Sequence, residues 1–321
     1  MGDPCGIGPE VTAKAWTALR ENGPVFAVLG DKALYSGVPT QMIESPELAA
    51  DVFKSALPIL AGIEVEDAQP GQPDPRFAPA ILASIRQAVA CVTSGQASGL
   101  VTAPLAKSIV QAAGFAHPGH TEYLGALLQD TPYNRPRGPI MMLTIDGLRV
   151  VPVTIHMALR DVALALTIQA IVDACRVTAD ALRHDFEIAA PRIAVAALNP
   201  HAGEGGAFGD EEARIIAPAI TILHAQGHDV TGPWPADSLF HAKARASHDA
   251  VICMYHDQAL IPLKTLDFWG GVNVTLGLPI IRTSPDHGTG FDIAGKGIAL
   301  PDSMIAAIQL AAQLGQRRPA S

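Results

Sequence analysis

Three histidines, His156, His201 and His256, each stand where an apolar, strand-like run gives way to polar or glycine-rich sequence. The runs are Leu148–His156, Ile193–His201 and Asp249–Asp257. In an open α/β sheet the ligand crevice lies beyond the carboxyl ends of the strands. Three imidazoles delivered there can converge on one divalent ion, and three protein nitrogens with one open position make a catalytic arrangement suited to Zn, Co, Ni or Fe. The plainer reading of each, a surface or hydrogen-bonded core histidine, stays open on spacing alone.

Other residues extend this chemistry. Lys264, Asn273 and Arg282 lie in the apolar segment Ile261–Arg282 of a chain with only 17% charged residues. A buried cation needs a partner, either a carboxylate such as Asp267 or a substrate phosphate held by the planar guanidinium fork. Asp237 and Asp257 are placed to orient an imidazole or to handle a proton, with helix capping as the duller use of Asp237. His120 and His287 sit in glycine-containing loops and can line a site or simply bond within the loop. His184, His224, His228, His241 and His248 have polar neighbours and read as solvated. Two glycine-rich stretches, Gly2–Gly8 and Gly203–Gly209, precede helices. The first is an anion cradle or a structural turn, and the second a lid or an ordinary loop.

These groups need a scaffold, and composition narrows it. With 321 residues and 49% hydrophobic content the chain can bury sizeable cores, and its length favours about two domains. Low aromatic content beside abundant Ala, Val, Leu and Gly suits helices packed on a largely parallel sheet. A net charge of −9 and the absence of a basic block exclude a nucleic-acid surface. Cys5, Cys91, Cys175 and Cys253 are scattered without CxxC spacing, as buried thiols in a reducing compartment are. No signal peptide and no spanning run of about 18 apolar residues is present, so no membrane is expected and the cytoplasm is the expected compartment.

Periodicity predicts helices over Glu10–Arg20, Ala80–Gln96, Val162–His184, Glu211–Gln226 and Ser303–Gln313. Strands are predicted at Val25–Leu29, over Gly99–Pro104 where a short strand ends in a turn, at Ile140–Ile145 and at Leu148–Ile155, the last two joined by the hairpin signal Asp146-Gly147. The sheet is therefore expected to be mixed. A Gly-Asp-Pro loop ordinarily follows a strand, and none precedes Gly2.

The motifs together resemble one family. They are Gly2-Asp-Pro-Cys-Gly-Ile-Gly-Pro-Glu10, Thr102-Ala-Pro-Leu-Ala-Lys107, Gly119-His-Thr-Glu-Tyr123, Asn199-Pro-His-Ala-Gly-Glu-Gly-Gly206, Gly232-Pro-Trp-Pro-Ala-Asp237, Tyr255-His-Asp-Gln258, Gly271–Pro279 and Arg282–Gly295. The pattern is similar to that of the 4-hydroxythreonine-4-phosphate dehydrogenase family of vitamin B6 biosynthesis, from Gly2 to about residue 315. Cys5 stands where alanine is common in that family, and Trp269-Gly270 lies in a short loop that varies among its members.

The resemblance implies an α/β protein of two α/β/α domains, like isocitrate and isopropylmalate dehydrogenases, with the active site in the interdomain cleft. The first domain is expected to take residues 1–125 and 284–321, and the second, carrying most metal and substrate residues, 126–283. It implies a cytoplasmic homodimer with a shared active site, NAD or NADP as coenzyme, and one divalent metal (Zn, Mg or Co) on His156, His201 and His256. His256 is the ligand expected from the dimer partner. His120, Thr121, Lys264, Asn273 and Arg282 are implied to bind substrate, and Asp237, Asp257 and Lys264 to serve catalysis; no coenzyme-binding residue is assigned. The implied reaction oxidises the 3-hydroxyl of 4-phosphooxy-L-threonine, after which loss of CO2 gives 3-amino-2-oxopropyl phosphate. The nearest alternatives are the same chemistry on threonate or erythronate 4-phosphate, or on an aromatic cis-dihydrodiol carboxylate. A metal-dependent hydrolase and a catalytically silent metal-binding protein are the alternatives from other classes.

Overall fold

The computed structural model describes residues 1–114, 117 and 119–318, with the side chain of His120 outside the description. The chain forms two compact units, Met1–Pro132 with Leu278–Ser321, and Tyr133–Gly277. The boundaries expected at 125/126 and 283/284 instead cut through a helix, His120–Leu127, and a strand, Arg282–Pro285, both of which the first unit keeps whole. Arg282 therefore belongs to the first unit.

In chain order the first unit contributes α1 (Gly8–Leu19), β1 (Val28–Leu29), β2 (Thr40–Ile43), α2 (Ala49–Val52), β3 (Leu57–Leu60), α3 (Ala78–Thr93), β4 (Leu100–Val101), α4 (Lys107–Ala112) and α5 (His120–Leu127). β3 lies between β1 and β2, parallel to both. Helix α1 opens with Pro9, whose missing N–H would have no intrahelical partner there anyway. Its residues Val11, Ala15, Trp16 and Leu19 repeat at helical spacing and are buried. The indole N–H of Trp16 donates to the Phe53 carbonyl at 2.8 Å, so the one polar atom of that core residue is satisfied.

The second unit contains β5 (Ile140–Ile145), β6 (Leu148–Pro152), α6 (Leu159–Ala165), α7 (Ile168–His184), β7 (Arg192–Ala196), α8 (Ala217–Ala225), β8 (Asp229–Trp234), α9 (Ala242–Arg245), β9 (Ala250–Cys253), α10 (His256–Leu266) and β10 (Val272–Leu276). Its strands run in the order β10-β5-β6-β9-β7-β8. β6, β9, β7 and β8 are mutually parallel, whereas β5 is antiparallel to both β6 and β10. The sheet is mixed, as expected, and the β5–β6 hairpin turns at Asp146-Gly147, where Gly147 takes φ 72°. All four residues of β9 are buried, which is why that strand is an unbroken apolar run.

One expected helix is two. In place of a single helix over Val162–His184, α6 and α7 meet at 90°. Thr167 between them is extended, and its hydroxyl accepts from the Ala170 N–H at 3.1 Å, so a side-chain cap starts a new helix. The predicted helix Glu211–Gln226 likewise begins with a π-helical turn, Glu212–Ile216, before α8. The chain then returns to the first unit as β11 (Arg282–Pro285), parallel to β4 with Arg282 opposite Leu100, and α11 (Asp302–Arg317). No single described helix is long and apolar enough to cross a membrane. The four cysteines are free and buried.

Candidate metal and substrate site

Parallel strands β6 and β9 stay in register to their carboxyl ends, with Pro152 opposite Cys253. Pairing continues past the strands: Val153 N donates to Cys253 O at 2.8 Å, and the buried Thr154 hydroxyl donates to Met254 O at 2.7 Å. His156 and His256 each follow two residues later. Their rings lie 5.8 Å apart, centroid to centroid, inclined at 45°. His256 opens α10, and its Nδ1 lies 2.7 Å from Asp257 Oδ1. Buried Gln258, in the next position, accepts from Met254 N at 2.6 Å and donates to Ala197 O at 2.7 Å, tying the start of α10 to the end of β7.

His201 is presented differently. It lies in a 3-10 segment, Pro200–Gly206, in which five successive residues, His201 to Gly205, hold φ between 40° and 78°. Left-handed backbone costs an L-residue roughly 1–2 kcal/mol, and His201, Ala202 and Glu204 all adopt it. The Glu212 carboxylate, 6% exposed, braces the approach to this turn. It accepts from the N–H groups of Leu198 and Asn199 at 2.9 and 2.7 Å and from Asn199 Nδ2 at 3.0 Å. Gly203 is required there, because a Cβ at its φ of 78° would stand 2.7 Å from Glu212 Oε2. The Gly203–Gly209 stretch is thus a braced turn. The His201 ring lies 6.1 Å from that of Phe208, and among the described residues no three His, Cys, Asp or Glu side chains gather closely enough to hold a metal.

One chain therefore brings two of the three histidines together. Two imidazoles that share an ion at about 2.1 Å place their ring centroids roughly 5 Å apart, and the observed 5.8 Å fits. Nδ1 of His256 faces a carboxylate, which fixes the ring and leaves Nε2 to coordinate.

The anion readers divide between the units. In the second, Lys264 lies two turns along α10 from His256, with its ammonium 5.1 Å from the Phe268 ring centroid. Asn273, on β10, holds a buried Oδ1 that has no hydrogen-bond partner among the described residues. In the first unit, Arg282 is 4% exposed, and its Nε and Nη2 donate to the Thr102 hydroxyl at 3.1 and 2.6 Å. Burial lowers its pKa to about 10, which leaves it charged at neutral pH. The Asp267 carboxylate accepts from Trp269 N and Gly270 N within its own loop. Thr121 lies in the first turn of α5, and Asp237 is exposed in a 3-10 turn after β8. The Gly2–Gly8 stretch is a structural turn: the N–H groups of Cys5, Gly6 and Ile7 donate to Asp3 Oδ1, Asp3 O and Thr289 O.

Thr102, Glu212 and Gln258 are the positioning residues that spacing does not single out. Thr102 and Gln258 fall inside conspicuous motifs, but their partners are brought near only by the fold.

Two α/β units, the second carrying histidines just beyond its strand ends, are the frame of an α/β enzyme. The sequence profile described as pyridoxal phosphate biosynthetic protein PdxA matches residues 25–311. A 4-hydroxythreonine-4-phosphate dehydrogenase of Caulobacter vibrioides is 57% identical, covering 99% of this chain and 96% of its own. Another, from Bradyrhizobium diazoefficiens, is 52% identical over 98% and 95%. The crystal structure of the 4-hydroxythreonine-4-phosphate dehydrogenase from Klebsiella pneumoniae aligns with a TM-score of 0.85 at 40% identity, over 98% of both chains. The chain belongs to the PdxA family.

Proposed function

We propose that this chain is itself a 4-hydroxythreonine-4-phosphate dehydrogenase, acting in the cytoplasm as a homodimer. The observation that carries the reading is the 57% identity, over 99% of the chain, to a relative of that name. The substrate is 4-phosphooxy-L-threonine. Its 3-hydroxyl is oxidised, with hydride passing to NAD or NADP, and the β-keto acid loses CO2 to give 3-amino-2-oxopropyl phosphate.

His156, His201 and His256, shared between two copies of the chain, would hold a divalent ion such as Zn, Mg or Co. When bound, that ion supplies Lewis acidity toward the substrate hydroxyl and toward the negative charge that develops on decarboxylation. Asp257 keeps the His256 ring turned so that one nitrogen is free. Lys264 and Arg282 bind the substrate's anionic groups, and the unpartnered Asn273 amide oxygen accepts a hydrogen bond from its ammonium or hydroxyl. Thr121 and His120 position the substrate on the strength of the likeness alone, and Asp237 is retained on the same ground as a proton-handling residue. Met157, Leu159, Leu164 and Phe208 are exposed apolar side chains close in sequence to His156 and His201. Such a surface supports burial against a second copy.

The test is NADH or NADPH formation by purified protein with added divalent metal and 4-phosphooxy-L-threonine, run beside threonate and erythronate 4-phosphates. Preference for the amino acid is expected. Preference for a sugar-acid phosphate would keep the chemistry and change the substrate, and turnover without nicotinamide would replace the reading with hydrolysis.

A further inference from the structure

The opposite edge of the second unit's sheet carries a cluster that the reaction does not use. There β6, β9 and β7 begin side by side, with Val150 opposite Val251 and Ala250 opposite Ile193. That register sets Arg149, Asp249 and Arg192, each one position earlier, along the amino-terminal edge. Arg192 donates through Nε and Nη2 to the Asp249 carboxylate at 3.2 and 3.0 Å, and Arg149 Nη1 donates to Asp249 O at 3.2 Å. Arg245, the last residue of α9, completes the wall together with His248 and Gly147 around a cavity of about 210 Å³.

Two of the side chains that line this cavity each carry an unusual atom. Arg245 Nε and His248 Nε2 are both buried and have no hydrogen-bond partner among the described residues, and His248 as a residue is only 9% exposed. A buried polar atom without a partner costs about 1–3 kcal/mol, so two on side chains that line one cavity point to something that satisfies them. Three arginines face a single carboxylate, Asp249, which Arg192 already engages. The cavity is therefore locally positive in a chain of net charge −9.

We propose that this cavity is a second anion site, which takes the phosphate group of a small phosphomonoester on Arg245 and His248, with Arg149 and Arg192 as flanking charge. The guanidinium fork matches a phosphate edge, and the volume accommodates a phosphate with a short organic tail. Burial and the nearby Arg192 hold the His248 imidazole below its ordinary pKa, while Asp249 opposes them. A dianion in the cavity reverses that balance and draws a proton onto His248. The site lies at the strand starts, away from the histidines at the strand ends, and stands whatever the enzyme's substrate proves to be.

Titration calorimetry of the full-length protein with inorganic phosphate, beside glycerol 3-phosphate, tests this. Arg245→Gln is expected to weaken one binding event by at least about tenfold, and Arg245→Lys to recover part of it. Both variants should retain kcat/KM within about twofold, as independent distant sites do. In NMR titrations of the wild type, phosphate should raise the pKa of the His248 imidazole. Tighter binding of glycerol 3-phosphate identifies an organic phosphomonoester as the ligand, and equal binding identifies phosphate itself. Unchanged binding in a folded Arg245→Gln variant, or a His248 titration indifferent to phosphate, overturns the proposal.

Discussion

The two edges of the second unit's sheet are built in opposite ways. At the carboxyl edge, functional side chains ride on segments that have just left their strands, including a left-handed turn in which His201, Ala202 and Glu204 hold φ values of 53°, 54° and 40°. At the amino edge, charges sit at the strand starts themselves, held in register by the Arg192–Asp249 pair. Strand ends free the backbone to take unusual conformations, and such strain clusters at functional sites. Strand starts instead bring together residues that are remote in sequence. One edge is braced for chemistry and the other is shaped to hold charge.

The largest test of this contrast is His256→Ala. It should abolish stoichiometric metal by elemental analysis and lower kcat by roughly a thousandfold, equivalent to about 4 kcal/mol of barrier. Normal turnover in a metal-free variant would remove the carboxyl edge from the reaction. Next is Glu212→Ala, which strands the buried N–H groups of Leu198 and Asn199. It should cost about 3 kcal/mol by urea denaturation, with Glu212→Gln milder; a variant as stable as the wild type would mean that the left-handed turn supports itself. Asp257→Asn is expected to weaken metal affinity about 10–100-fold with little change in stability, as read by competition with a chelator.

The smallest effect belongs to the amino edge. Burial raises the pKa of Asp249, but the hydrogen bonds and charge of Arg192 outweigh it, so the folded value lies below the ordinary 3.8. Its stabilisation is complete above that value and disappears as pH falls through the folded pKa. Asp249→Asn should therefore cost under about 1 kcal/mol at pH 6, and in urea midpoints the gap from wild type should narrow as the pH falls below 3.8 and through the folded pKa. A gap that does not narrow as the pH falls through this range would assign the pair's effect to packing.

Sequence makes the carboxyl edge visible because each histidine directly ends an apolar run, and the β5–β6 hairpin is equally visible because Asp146-Gly147 satisfies a turn that needs positive φ. Glu212 cannot be found that way, since its partners lie 13 and 14 residues upstream. His248 misleads for a related reason: flanked by Ser247 and Asp249 it reads as solvated, yet the register of β9 places it in a cavity wall. The approach of His156 to His256 is also invisible in one dimension, because it depends on how the ends of β6 and β9 pair beyond their last residues. The α6–α7 break falls between these cases, for Thr167 is a recognisable cap inside a run whose apolar spacing continues through it.

The second unit is one uninterrupted stretch of chain, whereas the first is assembled from Met1–Pro132 and Leu278–Ser321. During synthesis the second unit can close as soon as Gly277 has emerged, while β4 still waits for β11 and its helix α11. The order of completion on the ribosome is thus the reverse of the usual amino-to-carboxyl sequence of domains. A nascent chain stalled after Gly277 is expected to carry a protease-resistant second unit behind an unfinished first one.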